Sequence, residues 1–452
     1  MLVQFGKLLP KARLARWLAQ LNLTFYQRAF TPLITLWYLI FQRLSPNHHL
    51  SQVVEDALAG GADALSPRGK RLSQQLTSEA TTSFSDARQR LPLELCRRTL
   101  WQLADQTRQT LQVPEKFGHK LGLLDGSTCR LRPWGDIPKE FAPHRTGNAK
   151  KPPYWCLARV VGVFCWATGM VLHSTMSGLK TSEQALASQL LSERSWKGWL
   201  LAGDRNFGVY YVARALQAAH AHALLRLTKA RASKLARLAG RKLKPGLDVP
   251  LAWVPSAQDQ RPPDLTPTPV PGRLLAVTLN PPGFRSLTLY LFTTLTDPLQ
   301  CPAAELAQIY GLRWHVELCF RYVKSQMHLG FLECHSADLV RKEWLAGLIA
   351  YNLIRWTMGA AAALAKVPIG LLSFSRTRQL LLGWLVRQAN HRGAAASWKR
   401  LLERIAKARQ PKRRKPRPPE PRAVRPFASD VAKLYGSRAA ARQKLMKANA
   451  KS

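Results

Sequence analysis

The spacing of apolar positions changes character near residues 110, 230, 300 and 366, and each stretch predicts a different kind of element. Residues 1–110 show helical spacing and no strand-like alternation: Phe30 to Phe41 reads as a buried helix and Leu50 to Leu58 as a short amphipathic one. Leu72-Ser-Gln-Gln-Leu and Phe84-Ser-Asp-Ala-Arg-Gln-Arg-Leu flank a polar Ser/Thr-rich turn and predict two short helices. That spacing suits a helix-turn-helix offering Ser83, Ser85, Arg88 and Arg90 to a groove, and equally a plain αα-hairpin. From residue 119 short apolar runs take over. Leu121 to Asp125, Tyr154 to Trp166 and Gly169 to Ser177 predict three strands, Thr181 to Arg194 a helix capped by Ser182, and Gly198 to Gly203 a fourth strand. A helix over Val209 to His220 and a strand over His222 to Lys229 complete an α/β pattern, a mixed sheet with helices packed on it.

Between 230 and 300 the pattern shifts to a basic stretch, a Pro-rich linker at Arg261 to Pro271, and two alternating runs, Arg273 to Leu279 and Ser286 to Thr294. These predict a β-rich insertion. Helical spacing resumes near Pro302, and Trp344 to Ala365 is apolar around most of its circumference, as a buried helix must be. Lys407 to Arg422 is a cationic, low-complexity tail with the composition of a disordered segment.

Charge narrows the class of partner. Lys and Arg number 68 against 26 Asp and Glu, a formal net charge of +42. Self-repulsion on that scale favours a polyanion, and nucleic acid is the first expectation, an anionic membrane surface the second. The seven cysteines are scattered with no C-x-x-C pair, so reduced thiols are expected rather than a disulfide framework or zinc finger. His328, Cys334 and His335 form a weaker candidate metal set. Met1 to Gln20 lacks an apolar signal region and Phe30 to Phe41 is too short to span a bilayer, which predicts a cytoplasmic protein without membrane partners.

Three acids stand out in a chain poor in them. Asp125 and Asp204 each end an apolar run on a Gly-flanked turn, and Glu317 lies on a helix. On one continuous helix at about 100° per residue, Tyr310, Arg313, Glu317 and Lys324 fall at about 0°, 300°, 340° and 320°. One carboxylate, two cations and a phenol then share a face beside an apolar stripe. That face reads as a phosphate-facing surface or as an ordinary solvated one. Half-buried carboxylates need a counter-charge or a metal, and their oxygens suit Mg²⁺ or Mn²⁺. Three of them can hold two ions about 4 Å apart for an in-line phosphoryl displacement. A glycosidase pair is the competing chemistry, disfavoured by the charge. Caps, turns or salt bridges are the structural alternative.

The spacing Tyr310-x2-Arg313-x3-Glu317-x6-Lys324 resembles the Y-R-E-K signature of the Asp-Asp-Glu (DDE) transposases of the insertion-sequence-four family. Leu124-Asp125-Gly126-Ser127 is similar to that family's first-acid block and Ala202-Gly-Asp204-Arg-Asn-Phe-Gly208 to its second, with 79 and 113 residues separating the acids. Thr296 to Ala307 and Phe84 to Leu91 are similar too, and the likeness runs from about 25 to 390. It implies an α/β, ribonuclease H-like mixed-sheet catalytic core with a β-rich insertion and helical N- and C-terminal regions. The expected divisions are 1–110 (helical, DNA-binding), 111–230 and 301–366 (the core), 231–300 (the insertion) and 367–452 (a helical region and basic tail).

The resemblance further implies Asp125, Asp204 and Glu317 as catalytic ligands of two divalent ions, Mg²⁺ or alternatively Mn²⁺. Tyr310, Arg313 and Lys324 would hold phosphates, and Trp314 a flipped base. Arg88 and Arg90 remain the groove-reading candidates, and Trp253 is either a second wedge or a core residue. The implied partners are double-stranded DNA, at transposon ends and target, and a second copy of the chain in a synaptic homodimer. A bacterial, nucleoid-associated location follows. The implied reaction is hydrolytic nicking at terminal inverted repeats, hairpin formation and joining of 3′-OH ends to target DNA. An inactive DNA-binding relative and another two-metal nuclease are the alternatives.

Overall fold

A computed structural model describes residues 5–6, 9–22, 29–45, 49–65, 70–143, 155–256, 266–279, 287–388, 394–410 and 436–449. Most of the cationic tail and the first half of the Pro-rich linker lie outside the described residues. The helices that precede the sheet include α1 (Lys11–Gln20), α2 (Pro32–Leu44), α3 (Leu50–Leu58), α4 (Thr82–Arg90) and α5 (Leu93–Thr110). Pro32 at the first position of α2 needs no hydrogen-bonded N–H there, and the Thr31 hydroxyl accepts from Ile34 N at 3.4 Å.

The core alternates β1 (Lys120–Leu131), β2 (Cys156–Cys165), β3 (Val171–Gly178), α6 (Glu183–Ser192), β4 (Trp199–Gly203), α7 (Tyr210–Ala218), β5 (His222–Arg226) and α8 (Lys229–Leu238). The insertion supplies β6 (Asp248–Trp253), β7 (Val270–Leu279) and β8 (Leu287–Thr293). Then come α9 (Ala303–Gly311), α10 (Trp314–Arg321), a π-helical turn at Tyr322–Gln326, β9 (Phe331–Leu332), α11 (Ala337–Leu364), α12 (Phe374–Gln388), α13 (Ala394–Lys407) and α14 (Arg438–Asn449).

All nine described strands form one mixed sheet in the order β3-β2-β1-β4-β5-β8-β7-β6, with β9 beside β1. β2 runs antiparallel to β1, whereas β4 and β5 run parallel to it. This 3-2-1-4-5 arrangement is the sheet expected of a ribonuclease H-like core. The insertion is continuous with it: β8 pairs antiparallel with β5 through Leu224↔Thr293, and β7 and β6 extend the sheet outward. Its first strand, β6, went unread in the sequence because Pro250 interrupts the alternation; Pro is tolerated there because β6 is an edge.

Alternation along β1 sends Leu121 and Leu123 to one hydrophobic layer and Leu124 to the other. On the first face lies α11, buried along most of its length and packed on α2 and α5; α6, α7 and α8 cover the second. α11 starts seven residues before the predicted helix, where the Ser336 hydroxyl accepts from Leu339 N at 3.3 Å. Buried Asn352 pins α11 to the edge strand β3, its amide exchanging two 2.8 Å hydrogen bonds with the backbone of Val171. Among the described residues no helix is long and apolar enough to cross a membrane.

Candidate active site

Parallel pairing of β1 with β4 ends at Leu124↔Gly203, and Asp125 and Asp204 are the next residues on these two adjacent strands. Asp204 leaves the carboxyl end of β4, where ligands collect in open α/β sheets, whereas Asp125 lies inside β1, which runs on beside β2 to Leu131. Asp204 opens a tight turn, its Oδ1 accepting from Asn206 N at 2.8 Å. Gly208 closes that turn because a Cβ there would stand 2.0 Å from the Arg226 carbonyl oxygen. α10 crosses the first face of β1 and brings Glu317 and Arg313 over it. The Arg313 guanidinium lies between two acids, Nη1 3.8 Å from Asp125 Oδ2 and Nη2 3.5 Å from Glu317 Oε1. Its side chain is 7% exposed while that of Glu317 is 53% exposed.

The predicted single helix is broken. Leu312, Arg313, His315 and Val316 each donate to the carbonyl three residues back, and a π-turn follows at Tyr322–Gln326. A constant 100° step therefore misplaces the side chains on either side of each irregularity. Tyr310 is buried and not on a shared exposed face. Lys324, carried by the π-turn, reaches back to β1, its Nζ donating to Ser127 Oγ at 3.2 Å. Trp314 stands at the rim, 52% exposed, with Arg313 Cζ 5.1 Å from its ring centroid. Two buried polar atoms of the site have no hydrogen-bond partner: the Tyr310 hydroxyl and Arg313 Nε. Orphaned donors beside a carboxylate cluster are what an anionic ligand would satisfy.

Burial pushes the Asp125 carboxyl up to about 6, with Asp204 and Glu317 adding to the rise and the Gly126 N–H and Arg313 opposing it. The donor set fits a hard divalent cation, since all three candidates offer carboxylate oxygens. Among the described residues, however, no three His, Cys, Asp or Glu side chains are gathered tightly enough to hold a metal. Arg313 stands between Asp125 and Glu317 and supplies the counter-charge. The His328, Cys334 and His335 set is not assembled either: Cys334 is buried among Arg43 and Arg88, and His335 stacks on Trp134.

Sequence reasoning missed a fourth acid. Glu183, at the start of α6, looks like a routine first-turn carboxylate, yet Asn206 Nδ2 donates to it and Gln184 Nε2 donates to Asn206 Oδ1 at 2.8 Å. This network ties α6 to the Asp204 turn. Burial raises the Glu183 carboxyl, and Asp204 adds to the rise. Gly126 leaves room for it: a Cβ would stand 2.8 Å from the Glu183 carboxyl carbon. Gly126→Ala should leave the fold intact but displace Glu183 and the Asp204 turn, slowing single-turnover DNA cleavage by about 10²-fold. An unchanged cleavage rate in a folded variant would refute the role of this packing.

One expectation fails outright. Arg88 is 6% exposed and buried against Glu343, Nη2 donating to Oε1 at 2.6 Å, so it faces the interior and not a groove. Arg90 and Ser83 are exposed on α4, but the pair of reading arginines is lost. Trp253 is a core residue, edge-on to Phe292 at 4.8 Å and to Tyr210 at 6.3 Å.

Residues 116–353, which include all three acids, match the family described as Transposase DDE domain. Over 372 residues the chain is 26% identical to the transposase InsG for insertion sequence element IS4 of Escherichia coli (strain K12), covering 79% of this chain and 76% of that protein. It is 31% identical over 93 residues to the probable transposase for insertion sequence element IS5377 of Geobacillus stearothermophilus, covering 20% and 25% of the two chains. A piggyBac transposase, solved as a synaptic complex with hairpin DNA, aligns over 89% of this chain and 84% of that one at a TM-score of 0.39 and 10% identity, too loose to bear on the site. With the matched domain spanning more than half of its length, this chain belongs to the DDE transposases, in the insertion-sequence-four family.

Proposed function

We propose that this DNA transposase nicks one strand at each end of its element, turns the freed 3′-OH on the opposite strand to form a hairpin, and joins reopened 3′-OH ends to target DNA. The observation that carries the reading is that Asp125 of β1 and Asp204, just past the end of adjacent β4, stand next to each other in the sheet with Glu317 and Arg313 near Asp125. Transposases of this family generally use divalent metal ions. Asp125, Asp204 and Glu317 would hold two Mg²⁺ ions, which when bound stabilise the attacking and leaving oxygens of a phosphoryl displacement. Arg313, released from its two carboxylates, offers a bidentate fork to a phosphate, and Lys324 a point charge. The Tyr310 hydroxyl gains a partner in the same step. Trp314 presents an exposed ring on which an unstacked base can lie. Arg90 is the remaining cation of α4 available to flanking DNA. Two copies acting on paired ends, a synaptic homodimer, would place one such site at each end.

The test uses the purified full chain with short linear duplexes carrying the element's own ends. Mg²⁺ is expected to yield a nick and then a hairpin on denaturing gels, and Glu317→Gln neither. Absence of both products with the wild-type chain, or cleavage by the Glu317 variant, defeats the reading.

A further inference from the structure

Beside the carboxylates, between the N-terminal helices and the outer end of β1, lies a cavity of about 1180 Å³. One wall is the end of α2 with Arg43 and α4 with Ser85 and Arg88; the other is Arg130 of β1, Lys324, Phe331 and His335. Two features of this wall ask for an anion. Arg43 and Arg88 are both 6% exposed and share the buried carboxylate of Glu343, with Glu333 on the same cavity near Arg43, and burial depresses both guanidinium pKa values. The Nε of each is buried and makes no hydrogen bond. Arg130 adds an exposed cation, and Lys324 joins the cleft to Ser127, two residues from Asp125. Phe331 and His335 add ring faces to this basic wall, the combination that binds unpaired nucleic acid.

We infer that this cleft receives a short unpaired stretch of the DNA strand leading away from the carboxylates. A cavity somewhat above the roughly 300–1,000 Å³ of small-ligand sites encloses a few unstacked nucleotides, whereas a double helix lies across its mouth. The phosphates meet Arg130 and Lys324, with the buried Arg43 and Arg88 charges behind them; the bases meet Phe331 and His335. The inference rests on the proposed cleavage at Asp125, Asp204 and Glu317, because that chemistry generates the unpaired end.

The test reads binding without divalent ion, so it does not depend on whether the site cuts. Fluorescence anisotropy compares the full chain on a blunt duplex and on the same duplex with a four-nucleotide single-stranded extension, in both polarities. One extension should bind about 10-fold tighter than the blunt duplex, the worth of a single stacked base. Arg130→Ala, and independently Ser85→Glu, should erase that preference while leaving blunt-duplex binding within about 2-fold, which also reports that each variant is folded. Equal binding of extended and blunt duplexes by the wild-type chain, or equal weakening of both by the two variants, overturns the inference. Thymidine monophosphate displacing the extended duplex as effectively as a free tetranucleotide also overturns it, in favour of a mononucleotide site. A wild-type chain that cuts yet shows no extension preference fails the cleft alone.

Discussion

Asp125→Asn is expected to abolish strand cleavage and, in metal-free buffer at neutral pH, to raise the midpoint of thermal unfolding. The first half follows from losing one of the three acids to which the proposed function assigns the cleavage, a change on the order of 10³–10⁴-fold for a residue that acts as part of a unit. The second follows from burial. The Asp125 carboxyl is raised from 3.8 to about 6 in the folded protein, with burial as the main cause. The folded state therefore holds the proton more tightly than the unfolded chain. Ionising Asp125 costs nothing below about pH 4, increasingly more as pH rises toward 6, and a constant amount above it. A rise of that size is worth about 3 kcal/mol. Asparagine keeps the shape and sheds the charge, and Arg313 retains Glu317 at 3.5 Å as a partner. Scanning calorimetry should show the gain at neutral pH and its disappearance in acid. A lower midpoint at neutral pH, or residual cleavage above a tenth of the wild-type rate, would contradict this account.

Glu343→Gln should destabilise the chain by about 3–5 kcal/mol, the cost of breaking a buried ion pair from one side. Glu343 is 4% exposed and gives one oxygen to Arg88 and the other to Arg43. The amide leaves two buried guanidinium groups without a counter-charge at the junction of α2, α4 and α11. Limited proteolysis should then release fragments from the first 110 residues before the sheet is attacked, and denaturant titration should show the loss. Replacing Arg43, Arg88 and Glu343 together by apolar residues of similar volume should recover most of it, because an apolar trio carries no desolvation penalty. A loss below about 1 kcal/mol for the single variant would mean that water reaches the trio.

What could be read from the sequence was local. The apolar run ending in Gly-Asp placed Asp204 just past the end of a strand, the run through Asp125 marked a strand that continues beyond it to Leu131, and Ser182 before Glu183 marked the start of a helix whose cap the structure contains, Ser182 Oγ accepting from Ala185 N at 3.1 Å. What escaped was set by partners distant in sequence. Arg88 was read as exposed because nothing near it reveals Glu343, 255 residues away. Glu183 looked like a first-turn acid until Gly126 and Asn206 were brought against it. The wheel through Tyr310 and Lys324 failed because it assumed one regular helix, and neither the tight bonds around Arg313 nor the π-turn has a local signature.

The two ends of the sheet carry a consequence for assembly. β3 is one edge, and at Val171 the Asn352 amide stands where a neighbouring strand's peptide group would dock. β6 is the other, with Pro250 lacking an N–H and Asp248 engaged by Arg273. Neither border is a clean ladder for strand addition, so the usual hazard of a long open sheet, stitching copies edge to edge, is blunted at both sides. Copies drawn by this charge onto one stretch of DNA can crowd together without zippering into an aggregate.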